Sequence, residues 1–157
     1  MPTLSTSETA IASAAVREIA GDPSHPIEAL MYVATNDVFV CPVIGDVTTD
    51  LAGTQKFSMR APFAFTITDL RASLFTAAGS GTPTFDVNKN GTTTITTKLT
   101  IDATETTSLT AAAAYAFSAT AADRQFASDD IMTIDVDSNG ASGTKGAVVY
   151  VYYQRTA

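Results

Sequence analysis

The stretch from Phe57 to Leu74, FSMRAPFAFTITDLRASL, decides the fold class of this chain. Apolar and polar residues alternate along it, first at Phe57 and Met59 and again at Phe65 and Ile67. A period of two residues is typical of a β-strand that buries one of its faces. The stretch therefore predicts β structure.

The alternation reverses inside this stretch, at Asp69-Leu70, and apolar residues then continue at Leu70, Ala72 and Leu74. A slip of one residue inverts the two faces of a strand. We therefore expect a β-bulge or a bend at Asp69-Leu70.

Four further segments are predicted strands. The last of them, AVVYVYY, is apolar on both faces, which suits a strand covered by the domain on one side and by a partner on the other. Pro42 predicts that the segment Val38–Ile44 is an edge strand or an irregular one. Together with Gly/Asn turns, these strands predict an antiparallel, jelly-roll-like β-sandwich. The segments are Val38–Ile44, Ile95–Ile101, Met132–Val136 and Ala147–Tyr153.

A short helix is predicted over residues 5–20, because Ser5 and Glu8 have the spacing of a capping box and Gly21 follows as a stop. The breaker-rich linker DPSHP and a strand candidate at residues 29–33 come next. The fold class is thus an all-β sandwich preceded by a short N-terminal helix and an extended arm. We place the helix, linker and arm in residues 1–53 and the sandwich in residues 54–157.

The net charge is −7, and residues 1–53 hold seven acidic side chains and one basic side chain. Such acidity argues against nucleic acid and membranes as partners. Charged residues make up only 16% of the chain, so partners are expected to cover part of its surface. We see no secretory signal and expect a soluble protein made in a cytoplasm.

Two segments, DVNKNG (residues 86–91) and DVDSNG (residues 135–140), match the first half of a calcium-binding loop. The twelfth position, which requires a bidentate Glu, holds Thr97 in one case and Gly146 in the other. We favour the alternative that Asn90-Gly91 and Asn139-Gly140 form tight hairpin turns. No metal or cofactor is expected.

No catalytic group of residues is apparent. His25 lies in the linker, and Cys41 precedes a proline in an apolar run, where a buried thiol is expected. The neighbouring acids Asp129 and Asp130, like Asp135 and Asp137, fit solvated charges near turns better than a glycosidase carboxylate pair. The protein is therefore not expected to be an enzyme.

Three motifs resemble a β-domain that recurs in structural proteins of tailed bacteriophages. They are MRAPFAFTIT at residues 59–68, FDVNKNG at residues 85–91 and KLTID at residues 98–102, and they stand in the family's order. The resemblance covers about two thirds of the chain, from residue 54 onward. It implies a virion structural protein without catalytic residues.

The helix and linker resemble the anchoring arm of a small capsid decoration, or cement, protein. Such proteins are often trimers, so the resemblance implies a homotrimer that binds the major capsid protein on the capsid exterior. We expect capsid anchoring through Ile11, Val16, Ile19, Tyr32 and Phe39. Self-association is expected through Val149, Tyr150 and Tyr152.

The alternative is a tail-fibre, tail-tip or baseplate protein that recognises glycans on the host surface. This alternative predicts exposed aromatic side chains along a groove, with Tyr115, Tyr150 and Tyr152 as candidates.

Overall fold

The structure is a computed structural model that describes residues 37–44, 51, 53–141 and 143–156. They belong to one compact unit, Asn36–Ala157. The predicted helix, the linker and the strand candidate at residues 29–33 lie outside the described residues.

The described part of the chain is an antiparallel all-β domain of eleven strands with two 3-10 turns. This confirms the predicted β class. The turns are Ser108–Thr110 and Ala121–Arg124. The strands are β1 (Asp37–Ile44), β2 (Gly53–Arg60), β3 (Phe65–Thr76), β4 (Pro83–Lys89), β5 (Thr92–Thr93), β6 (Ile95–Thr97), β7 (Leu99–Thr100), β8 (Ala116–Phe117), β9 (Gln125–Phe126), β10 (Ile131–Asn139) and β11 (Lys145–Arg155).

Two sheets hold the long strands. The first sheet has the order β1-β11-β3-β9, and the second has the order β2-β10-β4-β5 with β7 beside β4. The strands β6 and β8 form a separate ribbon. Each connection from β1 to β4, and the connection from β10 to β11, crosses from one sheet to the other, whereas β4 and β10 are neighbours in the second sheet.

Both sheets contribute to one hydrophobic core, which explains why one face of each long strand is apolar. The inward positions of β10 are the predicted ones, Met132, Ile134 and Val136. The first sheet adds Cys41, Phe65, Ile67, Leu70, Ala72, Val149 and Val151, and the second adds Phe85 and Val87.

Strand β3 contains the predicted bulge. Along β11, Tyr152 pairs with Asp69 while the next residue, Tyr153, pairs with Ile67, so β3 has one extra residue, Thr68, at this point. Ile67 and Leu70 are both buried on either side of it. The bulge thus keeps both halves of the alternating pattern facing the same core.

Strand β1 is an edge strand, as Pro42 predicts. Among the described strands it pairs with β11 alone, and the register shifts between Pro42 and Ile44. A proline is tolerated here because an edge strand has backbone groups that need no partner strand. This strand lies within the predicted arm, yet Cys41 and Val43 are in the core of the sheets.

Two of the sequence predictions need correction. The segment Ile95–Ile101 is not one strand but two, β6 and β7, separated at Lys98, although Ile95, Leu99 and Ile101 are buried as predicted. The two halves pair with different strands, β6 with β8 and β7 with β4, and the amine of Lys98 between them contacts the carboxylate of Asp86.

The second correction concerns the turns. Asn90 and Gly91 both have positive φ, 49° and 83°, and form the predicted hairpin between β4 and β5. Gly140, with φ of 72°, instead begins the crossing from β10 to β11, which lie in different sheets. A Cβ at Gly140 would lie 2.9 Å from side-chain atoms of Ala78 and Pro83, so the crossing needs a glycine there.

Candidate interaction surface

The outer face of the first sheet is arranged in three rows across β1, β11 and β3. Val38 lies opposite Tyr152, and Tyr152 lies opposite Asp69. The next two rows are Val40–Tyr150–Arg71 and Pro42–Val148–Ser73. All nine side chains point away from the core, because the intervening rows contain the buried residues.

Two of the three columns are apolar, and we call them the outer apolar face: Val38, Val40, Pro42, Val148, Tyr150 and Tyr152. Val38 is 41% exposed and Val40 is 58% exposed. Four large apolar side chains are exposed among the described residues, and three of them lie on this side of the first sheet: Val38, Val40 and Phe75. Phe75 follows Ser73 in the outward alternation of β3. Such a concentration on one face is typical of an interaction site.

The third column borders this face with charge. Arg71 donates from Nε to the Asp69 carboxylate at 3.3 Å, and its guanidinium lies 5.4 Å from the centre of the Tyr152 ring. Interfaces in proteins are often enriched in Tyr and Arg at such positions. This charged border therefore lies between the outer apolar face and the chain segment on the other side of β3.

That segment, residues 106–115, covers the edge of β3 beyond its short pairing with β9. Three backbone N–H groups of β3 donate to it: Leu70 to the Tyr115 hydroxyl at 3.0 Å, Ala72 to Ser108 Oγ at 2.9 Å, and Leu74 to a backbone carbonyl at 2.9 Å. The edge is therefore protected from pairing with another chain. Residues 111–115 form a loop.

A cavity of about 200 Å³ lies between this segment and β3. Its lining includes Asp69, Arg71, Thr100, Ser108, Leu109 and Tyr115. Arg71 thus belongs both to the cavity and to the border of the outer apolar face.

Tyr115 anchors the cavity wall. Its hydroxyl donates to the Asp69 carboxylate at 2.6 Å and accepts the N–H of Leu70. Burial, and next the hydrogen bond to Asp69, raise the pKa of Tyr115 above its ordinary value. The phenol therefore stays protonated at neutral pH and holds Asp69 in place.

The structure places the predicted self-association residues on different sides of β11. Tyr150 and Tyr152 lie on the outer apolar face, whereas Val149 is completely buried in the core. Alternation along the strand explains the difference. Val38, Val40 and Arg71 also belong to this surface, and sequence analysis missed them because only strand pairing brings their columns together.

Of the predicted anchoring residues, Phe39 is within the described part of the chain. It is half-buried and stacks on Tyr153, with 4.2 Å between ring centres, and it also contacts Phe63 and Phe65. Ile11, Val16, Ile19 and Tyr32 lie outside the described residues, as does His25.

The two calcium-like segments run antiparallel beside each other, with Asp86 opposite Asp135. Asp86 lies in mid-strand rather than at the start of a loop. It is 6% exposed, binds the Lys98 amine and accepts the Thr93 hydroxyl. This arrangement is a paired carboxylate on a sheet and differs from a calcium loop.

The other acids considered also have partners. Asp129 pairs with Arg60 at 3.0 Å, and Asp130 lies 3.5 Å from the Lys89 amine. Hydrogen bonds from the Asn90 amide and the Ala127 N–H lower the pKa of Asp130 below its ordinary value. In the part of the chain that the structure describes, no group of three or more His, Cys, Asp or Glu is placed to hold a metal ion.

No protein-family model, curated protein or solved structure matches the chain. Across residues 37–44, 51, 53–141 and 143–156, no helix has the length and apolar character needed to cross a bilayer. The outer apolar face and its charged border are therefore the features from which a function is inferred.

Proposed function

We propose that the two sheets form a β-sandwich of jelly-roll type. The crossings between the sheets from β1 to β4 and from β10 to β11, together with the orders β1-β11-β3-β9 and β2-β10-β4-β5, support this proposal. The single core to which both sheets contribute also supports it. Jelly rolls are frequent in viral capsid and lectin domains.

We infer that the protein is a non-enzymatic capsid decoration protein of a bacteriophage. It binds the major capsid protein on the outside of the shell and assembles with copies of itself as a trimer. The observation that carries this inference is the outer apolar face, where Val38, Val40 and the two tyrosines are exposed or half-exposed in the single chain. Burial of such a face contributes roughly 25 cal/mol per Å² of apolar area.

Anchoring on the shell belongs in this proposal to Ile11, Val16, Ile19, Tyr32 and Phe39, none of which belongs to the outer apolar face. Self-association belongs to the outer apolar face. A protein that repeats over a lattice gains from both, because several weak contacts made at once bind far more tightly than any one of them.

The test uses the full chain with Val40→Asp, which places a charge on the outer apolar face. We expect self-association to weaken by at least about tenfold, or ~1.4 kcal/mol, in sedimentation velocity. Ser58→Asp is the matched control, because Ser58 is also exposed on an edge strand but belongs to the second sheet. Equal behaviour of the two variants contradicts the proposed surface.

Location in the particle tests the rest of the proposal. Density for this chain at three-fold or quasi-three-fold positions of the capsid, in a cryo-EM map of the virion, is the expected result. Density at the tail tip would instead favour the recognition of host glycans, with Tyr115, Tyr150 and Tyr152 as the aromatic candidates.

A further inference from the structure

Three groups around the cavity beside β3 have hydrogen-bonding capacity that the described residues leave unused. The terminal NH₂ groups of Arg71 have no acceptor there, since its contacts are those of Nε with Asp69 and of the guanidinium with Tyr152. Ser108 Oγ accepts the N–H of Ala72, and its own proton has no acceptor there. Thr100 Oγ1 is enclosed and has no partner in the described part of the chain. Each of these groups can donate a hydrogen bond to an acceptor that enters the cavity.

Asp69 does not supply this acceptor. Its carboxylate already accepts the Tyr115 hydroxyl at 2.6 Å and the Leu70 N–H at 2.8 Å, and Arg71 reaches it only through Nε. Asp69 therefore orients the guanidinium and leaves the terminal NH₂ groups available. A guanidinium held in this way binds a carboxylate with two parallel, charge-assisted hydrogen bonds.

The size and walls of the cavity restrict what can enter. Its volume of about 200 Å³ is below the roughly 300–1,000 Å³ of sites for drug-sized molecules. Leu99, Leu109 and the alanines at 111, 113 and 114 line it, so its walls are aliphatic. Leu109, which is 64% exposed, makes part of the wall accessible from outside. A short chain of methylene groups fits such a space.

We propose that the cavity binds a carboxylate on a short aliphatic stem, the side chain of a Glu or Asp on a neighbouring copy of this chain. Arg71 is shared by the cavity and the border of the outer apolar face, so a copy on that face has its side chains next to the cavity. Each copy carries 16 acidic residues against nine basic ones. The assignment to a neighbouring copy rests on the proposed function, whereas the carboxylate site itself does not.

The probe is glutarate, titrated into the full ¹⁵N-labelled chain at low salt and followed by NMR. We expect saturable shifts confined to the amides of Leu109, Ala111, Ala113 and Tyr115. Glutaramide, which has the same length without the charge, should bind at least about tenfold more weakly. No saturable shift, or equal binding of glutaramide, overturns the site. Tighter binding of glucuronate than of glutarate overturns the protein source in favour of an acidic sugar.

Arg71→Met should weaken glutarate binding at least about tenfold, and Arg71→Lys should restore it only partly, because an ammonium lacks the planar fork. Arg60→Met is the matched control, since Arg60 is an exposed arginine with a carboxylate partner outside the cavity lining. Thr100→Val gives a second readout that does not depend on Arg71. It removes a hydroxyl without a partner, so it should leave the melting temperature unchanged and still weaken glutarate binding severalfold.

Sedimentation velocity of Arg71→Met separates this inference from the proposed function. Weaker self-association together with weaker glutarate binding supports the assignment to a neighbouring copy. Unchanged self-association with weaker glutarate binding overturns that assignment. A wild-type chain that does not self-associate would contradict the proposed assembly, while the glutarate titration would still report on the site.

Discussion

Lys98 balances the acidic side of the second sheet. Asp86 and Asp135 lie directly opposite each other on β4 and β10, and like charges in such positions repel. The Lys98 amine contacts Asp86 and lies 3.8 Å from Asp137, so one cation offsets two carboxylates. Lys98 lies between β6 and β7.

Replacing Lys98 with Met should lower the free energy of unfolding by about 1–3 kcal/mol, because Asp86 would remain buried without its cation. Urea denaturation at neutral pH measures the change. Lys56→Met is the control, since Lys56 is exposed on β2, and we expect it to change the free energy by less than about 0.5 kcal/mol. A Lys98→Met variant as stable as the control would contradict the role of Lys98.

The thiol of Cys41 makes the free energy of unfolding depend on pH in the alkaline range. Burial raises the pKa of its thiol from 9.0 to about 12. Unfolding therefore releases a proton between these values, so the free energy of unfolding falls as pH rises from about 9 toward 12. One such group contributes a slope of up to ~1.4 kcal/mol per pH unit.

Urea denaturation at pH 8, 9 and 10 measures this slope. Cys41→Ala removes the thiol, so its slope above pH 9 should be shallower than that of the wild type. The difference between the two proteins isolates Cys41 from the other groups that titrate in this range. Parallel slopes would show that the thiol is not protected by burial.

Among the strands, the bulge in β3 allows both halves of one strand to face the same core. Phe65 and Ile67 precede it and Leu70 and Ala72 follow it, and all four are buried. Without the extra residue Thr68, the alternation from Ile67 through Asp69 to Leu70 would be regular. The bulge therefore compensates for the extra residue and keeps Leu70 and Ala72 on the same buried face as Phe65 and Ile67.

Deleting Thr68 should for this reason leave a cooperatively folded protein, with a loss of about 1–3 kcal/mol from changed strand pairing. Deleting Ser73, on the same strand, turns Leu74 away from the core and should cost more. Thermal unfolding of both variants ranks them. A Thr68 deletion that is the less stable of the two would show that the bend itself determines the fold.

In the molecule as a whole, the proposed anchoring contacts and the proposed self-association surface occupy different parts of the chain. The core consists of residues from Cys41 onward, within the compact unit Asn36–Ala157. The proposed anchoring contacts, apart from Phe39, precede this unit. The acidic net charge of −7 and the outer apolar face are both consistent with the proposed decoration protein, because apolar contacts would join the copies while like charges limit non-specific association.

Removing residues 1–26 should abolish binding to capsids while leaving the melting temperature of the β-domain within a few degrees of the full chain. Co-sedimentation with particles that lack this protein measures binding, and calorimetry measures unfolding. The full chain with Ser58→Asp is a control for binding. Undiminished binding of the truncated chain would refute the anchoring role of this segment.

Sequence analysis alone predicted the β class, the inward residues of the main strands, the bulge in β3 and the edge position of β1. These follow from local rules, because strand alternation, a phase reversal and a proline act within a few residues. The same rules identified the Asn90-Gly91 hairpin and the burial of Cys41.

Which strands are neighbours could be seen only in the tertiary structure. Val40, Tyr150 and Arg71 form one row although they come from three distant strands, and Tyr115 meets Asp69 across 46 residues. The break at Lys98 and the crossing at Gly140 also depend on partners elsewhere in the chain. Alternation tells which face of a strand is buried but carries no information on the strand beside it, and the candidate surface exists only between strands.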